Sequence, residues 1–160
     1  MQSVEQVVSF LEKYQLSLTT AESCTAGLMA SMVAEVMGSG AVLESAFVAC
    51  SSQAKHSCLG VSLQTVETYG LTSEEVAREM AVGALKLSAA NIVLASCGQA
   101  GGDGEMAGVQ CFACAMSLDG HEGVVSETVK FEGERNDVRA AAARYALLQL
   151  PYYYERLRSV

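Results

Sequence analysis

Apolar side chains fall at Val4, Val7, Val8 and Leu11, the i, i+3, i+4, i+7 spacing of a helix with one buried face. Ser3 and Gln6 supply a capping box at its start. The period then changes. Residues 17–21 read as a short strand that runs almost without a loop into a second helix, with Leu28, Met29, Met32, Val33 and Val36 inward and Gly38 and Gly40 as its stop. Residues 46–49 read as a buried strand that empties into the polar segment 50–55. Two short helical pieces follow. Thr72 and Glu75 then cap a longer helix to about Leu87, striped by Val76, Met80, Ala84 and Leu87. Residues 92–95 form another buried strand that opens into the glycine-rich run 98–104. Residues 109–118 and 124–131 read as paired strands joined through 119–123. A closing helix from near Asn136 turns Val138, Ala141, Ala142, Tyr145 and Leu148 inward, and Pro151 is its expected end. No internal repeat is visible. The alternation predicts a single α/β domain over 1–160, three layers deep, with helices on both faces of a mixed sheet.

Composition narrows the picture. With 51% hydrophobic residues in 160, one sizeable core is expected, and no apolar run reaches the ~18 residues that span a bilayer. The N-terminal residues lack the basic and apolar regions of a secretion signal, so a cytoplasmic location is expected. A net charge of −8 with no Lys/Arg cluster argues against a nucleic-acid surface, although one Arg beside a helix N-terminus suffices for a single phosphate. The six cysteines are expected as reduced thiols, mostly small core residues. Cys111 and Cys114 sit three apart on a predicted strand and so face opposite ways. With only His56 and His121 besides, no metal site is expected.

Candidate chemistry lies where buried strands end, the usual site position in such folds. Three segments qualify: 22–27, 51–55 and 98–104. The first, Glu22-Ser23-Cys24-Thr25-Ala26-Gly27, puts a Ser and a Thr at a helix start, where they can present a nucleophile, bind an anion, or simply cap the helix. The third matches neither a phosphate-cradling GxxxxGK[ST] nor a GxGxxG, so a nucleoside triphosphate or dinucleotide has no support.

Taken together, TTAESCTAG (residues 19–27), FVACSSQAKHSCLGV (47–61), GLTSEEVAREMAVGAL (70–85), GQAGGDG (98–104) and FEGERNDVRAAAARYAL (131–147) resemble the competence/damage-inducible CinA C-terminal domain family in order and spacing. The resemblance implies hydrolysis of the carboxamide of nicotinamide mononucleotide to the acid and ammonia, with no metal or other cofactor. It puts the family's serine on Ser23 and its lysine on Lys55, a Ser–Lys arrangement, and the phosphate-binding arginine on Arg135. Glu22, Thr25, Gly27, Ser51, Cys97 and Gly98 fall on pocket positions. The nucleotide domain that precedes this one in longer members is expected to be absent.

Several pocket positions depart from the family's pattern. Cys50-Ser51-Ser52 stands for Tyr-Ser-Asn, Cys97 for Thr or Ser, Ala26 for Gly, and Gly102 for the Pro of Gly-Ile-Ala-Gly-Pro. The stretch after Gly104 is shortened. These changes leave open a paralogue that binds a nucleotide-like ligand, or a protein partner, without turnover. Tyr152-Tyr153-Tyr154 suggests an aromatic contact in a homodimer or larger oligomer, or a tail folded onto its own domain.

Overall fold

A computed structural model describes residues 2–159. The elements run α1 (Val4–Lys13), β1 (Leu18–Glu22), α2 (Leu28–Ala34), β2 (Leu43–Val48), α3 (Ser52–Leu59), α4 (Leu63–Tyr69), α5 (Glu74–Leu87), β3 (Ile92–Gly98), β4 (Val109–Leu118), β5 (His121–Lys130) and α6 (Arg135–Arg158). The strands form one sheet in the order β2-β1-β3-β4-β5. β1 pairs parallel with β2 and β3, while β3/β4 and β4/β5 are antiparallel. The α/β class and mixed sheet are as the sequence predicts.

Alternation along the central strands sorts side chains into two cores. Leu18, Ile92, Leu94, Phe112 and Cys114 pack toward α1, α2 and α6. Ala21, Val93, Ala95, Cys97, Cys111 and Ala113 pack toward α5, with Leu59 of α3. Cys111 and Cys114 therefore do face opposite ways, as residues three apart on a strand must. Among the described residues, no helix is long and apolar enough to cross a membrane.

Five local expectations differ from the fold, the first being Leu87, which ends the predicted α5 stripe but is exposed because it is the last residue of the helix. β2 is an edge strand with alternating half-exposed and exposed residues, because it has a neighbour on one side only. Ser73, not Thr72, caps α5, its hydroxyl accepting from the Val76 N–H at 3.2 Å. The β4–β5 connection is a tight Asp119-Gly120 turn, with φ of 51° and 79°. Both central residues then have positive φ, the hairpin geometry that Asp-Gly favours. Finally, α6 continues through Pro151 to Arg158. A proline costs a helix one N–H bond, and burial of Leu150, Tyr153, Tyr154 and Leu157 outweighs that loss. Tyr154 stacks edge-on against Phe10, ring centroids 5.4 Å apart, so two of the three tail tyrosines belong to the chain's own core and Tyr152 alone is exposed.

Candidate active site

β1 ends at Glu22, and the chain turns through Ser23, Cys24, Thr25 and Ala26 into α2. The Ser23 N–H donates to the Ser96 carbonyl of β3 at 3.1 Å, which fixes where its side chain leaves the sheet edge. The turn is built around the fully buried Glu22 carboxylate. Oε1 accepts from Thr25 Oγ1 (2.7 Å) and the N–H groups of Gly27 (3.1 Å) and Met29 (3.0 Å). Oε2 accepts from Thr20 Oγ1 (3.0 Å) and the Ala30 N–H (3.1 Å).

The sequence places a hydroxyl cap and open N–H groups at this helix start. Glu22 occupies that place, because a carboxylate serves several donors at once and its charge suits the positive helix end. Ala26 and Gly27 wrap the chain around it with φ of 48° and 95°. The N–H groups of Cys24 and Thr25 have no partner among the described residues.

Lys55 comes from α3, whose start is capped by Ser51 Oγ, accepting from the Ala54 N–H at 3.0 Å. The lysine is 1% exposed, and its Nζ donates to Ser23 Oγ at 3.1 Å and to the Cys50 carbonyl at 3.2 Å. Burial holds its ammonium below the ordinary value of 10.5. The ionisable neighbours that act on it are the thiols of Cys97, Cys50 and Cys24, and no carboxylate is among them. The seat of α3 depends on Gly83 in α5, where an added Cβ would lie 1.8 Å from the Leu59 carbonyl oxygen. Only hydrogen fits there, so α3 lies directly on α5 and its lysine reaches the end of β1.

The remaining predicted residues divide. Gly98 lies under the Gln110 side chain, whose Oε1 accepts from Cys24 Sγ at 3.1 Å beside the Ser23 turn. Arg135 is exposed at the start of α6, its side chain across Gly101 of the glycine-rich loop and its charge within reach of Cys24. Cys97 is fully buried, its thiol donating to the Ser73 carbonyl at 3.4 Å. Cys50 is exposed and donates to the Ser23 carbonyl at 3.6 Å.

Three residues escaped sequence reasoning. Arg139 donates from Nε to the Cys24 carbonyl at 2.7 Å and from Nη2 to the Thr25 carbonyl at 3.4 Å, clamping the serine turn. Its place one helical turn after Arg135 was the available signal. Gln110 is fully buried with its Nε2 unpartnered, as is Ser96 Oγ, and nothing in a strand pattern announces either. Ser23 is 6% exposed. A surface groove of about 560 Å³ between His56, Cys58, Arg78 and Lys86 is lined by neither Ser23 nor Lys55. No cluster of three His, Cys, Asp or Glu side chains suited to a metal occurs among the described residues.

A buried lysine against a serine at the parallel end of a mixed sheet is a constellation for metal-free acyl transfer. Residues 1–153 match the model of the CinA C-terminal domain, and the chain belongs to that family. It is 39% identical to the nicotinamide-nucleotide amidohydrolase PncC of Escherichia coli K12 over 94% of this chain and 92% of that one. A CinA-like protein of Chlorobium phaeobacteroides is 40% identical over 98% of this chain, which spans 38% of that longer protein. The crystal structure of the competence/damage inducible protein CihA from Agrobacterium tumefaciens superposes with a TM-score of 0.87 at 32% identity, covering 94% of this chain and 95% of that one.

Proposed function

We propose that this chain hydrolyses the carboxamide of a pyridine mononucleotide, nicotinamide mononucleotide in the first instance, with Ser23 as nucleophile and Lys55 as base. The observation that carries the reading is the 3.1 Å contact between Ser23 Oγ and a buried lysine Nζ whose other hydrogen bond goes to the Cys50 carbonyl and not to a carboxylate. Burial favours the neutral amine, whose lone pair can take the serine proton. Ser23 Oγ then bonds to the amide carbon, and the unpartnered N–H groups of Cys24 and Thr25 in the same turn serve the developing oxyanion. The lysine passes its proton to the departing nitrogen and ammonia leaves; water, deprotonated by the same amine, then cleaves the ester, and the lysine returns that proton to Ser23 Oγ as the acid departs. Arg135 serves the phosphate. The relative named PncC, matched over most of both chains, supports this choice of substrate.

A ligand-binding protein without turnover is the second reading, favoured by the near-complete burial of Ser23. Ammonia release from nicotinamide mononucleotide, with nicotinamide riboside and glutamine as controls, separates the two. Under the first reading, Ser23→Ala lowers kcat by at least about 10³-fold while the ligand still binds. Arg135→Ala raises KM for the phosphorylated substrate by about 10–100-fold, the worth of one charge-assisted contact, with kcat little changed. Binding without ammonia release from the wild type establishes the second reading.

A further inference from the structure

Cys97 and Cys111 stand directly opposite each other on the antiparallel strands β3 and β4. Both side chains point to the α5 face, 0% and 2% exposed. Opposed residues in such a ladder have Cα atoms about 4.5–5.5 Å apart, inside the span a disulfide bridges. Cys111 also lines a surface cavity of about 470 Å³ with Thr72, Glu74, Met106 and Thr128, so a small oxidant can reach it. The geometry points to a modification site: a hydroperoxide converts Cys97 and Cys111 into a reversible cross-strand disulfide at the end of β3 nearest the Ser23 turn.

The roles within the pair are unequal. The neighbouring Cys97 thiol brings Cys111 down to about 7, against burial and the charges of Glu74 and Glu75, while Cys111 and burial together raise Cys97, whose proton is donated to the Ser73 carbonyl. The Cys111 thiolate therefore attacks first. It takes the terminal oxygen of the hydroperoxide to give a sulfenic acid, and an alcohol leaves, or water from hydrogen peroxide. Cys97 Sγ then bonds to Cys111 Sγ as hydroxide departs, and the Cys97 proton completes a second water. Two thiols are oxidised and one peroxide is reduced. A dithiol reverses the bond by exchange. Cys114 is excluded by its place on the opposite face, where burial pushes its thiol far up.

The test reads the bond rather than turnover, so it is independent of the amide reaction. Reduced protein is treated with hydrogen peroxide, quenched in acid and alkylated. Cleavage after Glu79, Glu105 and Glu122 leaves Cys97 in segment 80–105 and Cys111 with Cys114 in 106–122. The expected result is a cross-linked pair of these segments, two hydrogens lighter than their sum. Fragmentation assigns the link to Cys111, and dithiothreitol abolishes it. It is absent from both Cys97→Ala and Cys111→Ala. Cys111 found as sulfinic acid with no link, a link assigned to Cys114, or bridges only through Cys24, Cys50 or Cys58 each overturns the proposal.

Discussion

Lys55 is kept in the core at a cost in stability, and the sign of that cost can be worked out. Its folded pKa lies below the 10.5 of the unfolded chain, so between the two values the unfolded state binds more protons. The destabilisation is therefore full below the folded value and fades as pH rises toward 10.5. Lys55→Met keeps the volume and removes the charge. It is expected to abolish ammonia release yet raise the melting temperature at pH 7, with the gain shrinking as pH climbs; differential scanning calorimetry of both proteins across pH checks this. Wild-type kcat is expected to rise with pH through the same lowered value. Ala26 carries a cost of another kind, a conformational one, at φ 48°. The left-handed region costs a non-glycine about 1–2 kcal/mol, and glycine's extra unfolded freedom returns about 0.5–1 of it. Ala26→Gly should thus stabilise by about 0.5–1 kcal/mol, a rise of about 1–4 °C in a thermal melt for this chain length.

Helix and strand periods made most elements legible from sequence. Central strands show continuous apolar runs, and α1 shows its stripe and cap. What stayed hidden was whatever depends on neighbours distant in sequence. An edge strand reads like a central one until its partners are known, and Pro151 reads as a stop until the helix beyond it is seen to be buried. Ser23 stood out as a hydroxyl at a helix start, but Lys55 and its pairing with Ser23 could be named only by resemblance. Their 3.1 Å contact follows from where β1 ends and how α3 is seated. That seat makes Gly83→Ala informative. Alanine in a helix gains about 1 kcal/mol over glycine in propensity, but a Cβ 1.8 Å from backbone oxygen forces α3 away. Overpacking of about 1–3 kcal/mol or more wins. The variant should melt lower and lose turnover although residue 83 touches neither Ser23 nor Lys55. Unchanged melting and kcat would show that α3 does not depend on this contact.

At the scale of the whole molecule, the buried polar groups concentrate at one end of the sheet. Glu22, Ser23, Thr25, Lys55, Ser96 and Gln110 are all buried there, and the cores on either side are apolar or thiol-bearing. For assembly, we propose a homodimer or larger. With Tyr153 and Tyr154 inside their own fold, the exposed Tyr152, Val48 on the β2 edge and Tyr69 are among the large apolar groups, with Met37 and Leu87, that are left to meet another copy. Light scattering at micromolar concentration should give at least twice the monomer mass of 16.8 kDa, and a monomer there disproves the association.

The Asp119-Gly120 turn joins the far ends of β4 and β5. β3 ends at the serine turn and β4 runs back from it, so this hairpin tip lies a full strand's length from Ser23 and Lys55. A surface tip of this kind is where chains best accept inserted sequence. A fluorescent reporter or an affinity handle spliced in at the tip can thus be carried by the working protein, while the same cargo in the 98–104 loop would press on Arg135 and the Gln110 amide. The molecule has one end for the proposed chemistry and one that is open to being written on.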